Sequence, residues 1–174
     1  MKAWLITLWN IALMRAGPQD LPTGRSSPVL AVVLFALVIA VSGLVDTREA
    51  GRVDLADSIV ASIVVSIALP LILTASILAA RGQSARFGQT AAALFGTGAL
   101  IGLINIPLAF SSQTPAPAPL AVLALIGLFW SLAVDGHIWR SALDCAYAVG
   151  LVVAVVILFL QLFVFQAMAN PGVS

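Results

Sequence analysis

Long apolar runs alternate with short polar breaks along the chain, and ionisable residues mark the breaks. Residues 26–45 and 58–80 carry no charge. Each is long enough to cross a hydrocarbon core of about 30 Å as a helix rising about 1.5 Å per residue. From Phe87 to Val134 the chain is again uncharged, which is too long for one crossing. The stretch "SSQTPAPAP", 111–119, divides it, because its three prolines lack amide donors and interrupt a continuous helix. A last run, 146–167, is almost wholly apolar. The pattern predicts five spans, at about 28–45, 58–80, 89–110, 119–135 and 146–167, the fourth cut short by Asp135.

Ahead of these lies "KAWLITLWNIALMR", which has a lysine followed by an uncharged run too short to span. Arg15 and the lack of an A-x-A-like site after the run argue against a cleaved signal peptide. Trp4, Leu5, Leu8, Trp9, Ala12 and Leu13 recur at helical spacing, which predicts an interfacial amphipathic helix with both tryptophans at the headgroup level. "AGPQDLPTGRSSP", 16–28, then reads as an extended tether, since its glycines and prolines interrupt any helix. The expected organisation is an interfacial helix and tether over 1–27 and one transmembrane bundle over 28–170.

Composition agrees with the pattern. The 174 residues are 61% hydrophobic and 9% charged, where soluble domains carry roughly a quarter charged residues. Mean hydropathy is +1.12. The fold class expected is all-α: a polytopic integral membrane bundle. A formal charge of +1 gives no field suited to nucleic acid. Lysine and arginine favour the cytoplasmic side. An inside N-terminus places Lys2, Arg15, Arg25, Arg81, Arg86 and Arg140 inside and only Arg48 and Arg52 outside. That predicts a cytoplasmic N-terminus, a C-terminus on the opposite side and, in a bacterium, the inner membrane.

Small residues predict where helices meet. Ser58, Ser62, Ser66, Pro70 and Thr74 fall four apart in the second span, forming a slanted stripe that lets a neighbouring backbone approach. Pro70 also removes an amide bond and is expected to bend the helix. In the third span Gly98 and Gly102 form a GxxxG, followed by Asn105 and Pro107.

Candidate chemistry concentrates in "VDGHIWRSALD", 134–144, which holds the only histidine. His137 beside Asp135 or Asp144 has the residue types of a general base and its orienting acid. Helical spacing instead favours local pairing of His137, Arg140 and Asp144. The favoured expectation is a cytoplasmic turn between spans four and five, reversed at Gly136, with Trp139 an interfacial anchor alongside Trp4 and Trp9. Asp135, His137, Arg140 and Asp144 would then form a docking turn for a partner. One cysteine, Cys145, excludes an intrachain disulfide. The loop 46–57 offers Asp46, Glu49, Asp54 and Asp57, with Arg48 and Arg52 able to pair with them, so a solvated loop is expected rather than a cation site. No cofactor or metal is expected.

The five closely spaced spans, with "LIGLFWSLAVDGHIWRSALDCAYAV" at 125–149 and "AALFGTGALIGLINIPLAF" at 92–110, resemble the Yip1 domain, a family of small polytopic membrane proteins. The resemblance implies a helical bundle without catalytic residues. The expected function is non-enzymatic, through protein or lipid contacts: a scaffold, an assembly or regulatory subunit, or membrane organisation. The expected partners are the bilayer and another membrane protein or a second copy. A small permease or channel subunit is the alternative, and a membrane enzyme using the 135–144 stretch comes third.

Overall fold

The computed structural model describes residues 2–24, 26–50, 55–109 and 118–169. Its elements are α1 (Lys2–Ala12), a 3-10 turn (Pro18–Asp20), α2 (Ser26–Ala50), α3 (Leu55–Ala80), a second 3-10 turn (Ser84–Arg86), α4 (Phe87–Ala109), α5 (Ala118–Leu143) and α6 (Tyr147–Ala169). Among the described residues, five helices (α2 to α6) are long and apolar enough to cross a membrane. The Pro-rich break lies largely outside the described residues, as do the side chains of 46–57 and of Ser58 and Ser62. α2 continues as helix to Ala50 and α3 begins at Leu55, so both ends of the loop expected over 46–57 are helical.

α4 is the central helix. Half of its apolar window is buried, against 17% for α2 and α5 and 11% for α3 and α6. Small residues make this possible. Ala91, Ala92, Ala93 and Ala99 are buried with Phe95, and Phe35 of α2 meets Phe95 edge-on with ring centroids 5.3 Å apart. Its glycines receive neighbouring side chains. A Cβ on Gly98 would stand 3.0 Å from the ring of Phe35, and one on Gly102 would stand 2.6 Å from Val38.

α5 and α6 pack backbone to backbone. A Cβ on Gly150 would collide with the Gly136 carbonyl oxygen and stand 2.6 Å from the Arg140 amide nitrogen. Gly136 is therefore a close-packing position in mid-helix, and the reversal expected there does not occur. The turn comes later. Asp144 takes φ 51°, and the Cys145 amide donates to the Arg140 carbonyl at 3.1 Å, closing α5 with a left-handed cap. A helix of 26 residues is about 39 Å long, more than the roughly 30 Å a hydrocarbon layer needs. Its polar end therefore continues as helix past the point where an apolar run would stop.

The N-terminal segment is docked on the bundle. Trp4, Leu8, Ile11 and Ala12 form the inner face of α1, and Leu8 fills the notch above Gly96. Trp4 is 7% exposed and donates its indole N–H to Ser27 Oγ at 2.8 Å. It is thus a core residue, whereas Trp9 is 47% exposed on the outer face. The two tryptophans do not share a face, because α1 is apolar on two sides and the bundle covers only one. The expected extended tether is instead folded down. The Gly17 amide donates to Asp20 Oδ2 at 2.8 Å, and Leu21 is buried.

Candidate functional site

Two spaces, one polar and one mostly apolar, flank the last turns of α5. The first is a recess at the bundle end where α5 finishes and α4 begins, with a volume of about 550 Å³. Gln19 reaches it from the first 3-10 turn, Arg86 from the second, Gln89 from the start of α4, His137 and Arg140 from α5, and Asp144 from the cap. Most of these groups are engaged in holding elements together. Arg86 Nη1 donates to the Ser141 and Ala142 carbonyls, both at 3.2 Å. A cation at a helix C-terminus also complements the helix dipole. Gln89 Nε2 donates to the Leu21 carbonyl at 2.9 Å and the Gln19 carbonyl at 3.3 Å.

His137 Nε2 lies 3.0 Å from the Ala16 carbonyl oxygen. A carbonyl can only accept, so this ring nitrogen carries the hydrogen and donates it. Beside it, Trp130 donates to the Ala12 carbonyl at 2.9 Å. The sole histidine thus clamps the N-terminal segment onto α5. Arg140 is exposed at the recess, and Asp144 lies beyond the end of the helix. The helical pairing expected between these two therefore does not apply.

The second space is a half-open cavity of about 200 Å³ among α2, α3, α4, α5 and α6. Phe35 of α2, Ser66, Pro70 and Thr74 of α3, Gly98 of α4, Ser131 and Asp135 of α5, and Gln161 of α6 all line it. Asp135 and His137 are two residues apart, about 200° around a helix of 3.6 residues per turn. One turns to this cavity and the other to the end recess. The Asp135–His137 arrangement considered from sequence is therefore split between two spaces.

Asp135 was expected to end the fourth span. It lies instead within the apolar window Pro119–Leu143, eight residues before the helix ends, or about 12 Å along its axis. Reading spans as charge-free runs placed no ionisable group inside one. The signal that could have found it is the i,i+4 pair of Ser131 and Asp135, which continues the helical period past Val134. Trp139, expected at the interface, is 1% exposed and packs in the core with Leu78, Ala142, Leu143 and Ala154. In α3, Ser66, Pro70 and Thr74 face the cavity, so this part of the small-residue stripe brings two hydroxyls to a mostly apolar wall. Thr74 is 1% exposed, and its hydroxyl has no hydrogen-bond partner.

Among the described residues, no three or more of His, Cys, Asp and Glu stand together in a metal-holding group. No family model, curated protein or solved structure matches the chain.

Proposed function

We propose that the chain is a multi-pass integral membrane protein that works through contacts with protein or lipid, as a scaffold, an assembly or regulatory subunit or a membrane organiser, and not through catalysis. One observation carries this reading. The only histidine spends its Nε2 hydrogen on the Ala16 carbonyl, and the nearest carboxylate along its helix, Asp135, faces another space. The histidine, the group with the best claim to acid–base work, therefore serves the folded form of the N-terminal segment. The likeness to the Yip1 domain supports the same class of small, non-catalytic polytopic proteins. In this reading the N-terminus and the Arg86 end of the bundle lie on the cytoplasmic side, with the recess facing the cytoplasm, an orientation that the distribution of arginines supports.

Gentle detergent extraction followed by native mass spectrometry tests the proposal. The expected result is a complex, either with a second copy or with another membrane protein. A bare monomer that keeps its fold would contradict it.

A second reading, a small permease, is favoured by the cavity that Asp135 lines, because polar groups among apolar membrane helices mark solute paths. Solute flux in proteoliposomes containing only this chain separates it from the first.

A further inference from the structure

We propose that the half-open cavity lined by α3, α5 and α6 binds a small organic cation, an alkylammonium of a few carbons, through the carboxylate of Asp135. The proposal deepens the permease reading by naming a ligand class. It requires occupancy and not translocation, so the two can fail separately.

The charge of the ligand follows from the lining. Asp135 is the only ionisable side chain among the described residues that line the cavity. The cationic side chains nearest along the chain, Arg140 and Arg86, line the end recess instead. A carboxylate held among apolar helices is costly unless a cation or hydrogen-bond donor meets it. None of the described hydrogen bonds reaches it. The other polar groups of the cavity wall are mostly hydroxyls. Thr74 is the most telling, because a buried hydroxyl without a partner costs about 1–3 kcal/mol, and this one lies at the cavity wall. Ser66 and Ser131 add two more, and Gln161 adds an amide. These oxygens can accept hydrogen bonds from an ammonium group while Asp135 neutralises its charge.

Size and wall chemistry select an organic ammonium over a bare metal ion. A space of about 200 Å³ exceeds the roughly 30 Å³ share of one water several times over. A metal ion alone would leave most of it empty or wet. The rest of the wall is apolar, with the rings of Phe35, Phe95 and Trp139 among its members. Aromatic rings attract ammonium groups and their alkyl substituents, and the attraction strengthens away from water. Burial of a short alkyl chain adds about 0.8 kcal/mol per methylene.

The test is saturation-transfer NMR of n-butylammonium with the full-length protein in deuterated detergent micelles. The expected result is a saturable signal that Asp135→Asn abolishes and that an equal concentration of sodium chloride leaves in place. Thr74→Val, a change of nearly equal volume, keeps the fold testable if the first variant does not fold. It is expected to weaken binding roughly fivefold, the equivalent of one hydrogen bond of about 1 kcal/mol. Three outcomes overturn the proposal: no saturable signal in the unmodified protein, equal binding by Asp135→Asn, or displacement by sodium at matching concentration. Binding without flux in proteoliposomes would sink the permease reading and leave this site standing.

Discussion

The ring nitrogen of His137 meets the carbonyl of Ala16 at 3.0 Å, across 121 residues of chain. With Trp130 on Ala12 and Gln89 on Leu21, it fastens the N-terminal segment to α4 and α5. His137→Ala is expected to destabilise the fold by about 1 kcal/mol. Hydrogen exchange over residues 2–21 should accelerate while exchange in α4 stays slow. Unchanged protection in the N-terminal segment would show that the clamp contributes nothing.

Gly150 is a close backbone contact between α5 and α6, because an added Cβ would collide with the Gly136 carbonyl. Backbone cannot yield as a side-chain tip can. Gly150→Ala is therefore expected to cost about 1–3 kcal/mol by overpacking, seen as a lower thermal midpoint in detergent. Gly88→Ala is the control, since nothing lies within 4 Å of a Cβ there.

Met14 ends α1 with φ 57°, and the Arg15 amide behind it donates to the Asn10 carbonyl at 2.8 Å. That cap geometry favours glycine. Met14→Gly is expected to raise stability by about 1 kcal/mol, because a side chain in left-handed backbone is strained. Thermal unfolding of the purified protein would register a higher midpoint.

Removal of the Thr74 hydroxyl has opposite consequences for folding and for binding. Without ligand, Thr74→Val is expected to raise the thermal midpoint, since it deletes an unpartnered buried polar atom. The same variant is expected to gain less stability than the unmodified protein when n-butylammonium is added.

Cys145 is a native probe of orientation, because it is the only cysteine and lines the end recess just past α5. In sealed right-side-out vesicles, a membrane-impermeant maleimide is expected to leave it unlabelled, and in inverted vesicles to label it. The reverse result would turn the proposed topology over.

How far the sequence could be read follows from what each feature depends on. Five long apolar helices and the breaks before α3 and α4 were legible because they depend only on run length, proline and charge. The partners of Gly98 and Gly102 were not, since a GxxxG states that a backbone can come close without stating whose side chain arrives. Here it is Phe35 and Val38 of α2.

The stretch 134–144 shows the limit most clearly. Its sequence determined a concentration of polar groups near the end of an apolar helix. Only the tertiary structure decided that the helix continues to Leu143 and that His137 meets a partner from a distant segment, the Ala16 carbonyl. The same packing buries Trp4 and Trp139, which composition would leave at an interface. It also turns Asp135 inward toward Thr74's space while His137 turns to the recess. Helical period fixes the angle between two side chains on one helix, but which neighbour stands at each angle is a property of the assembled bundle.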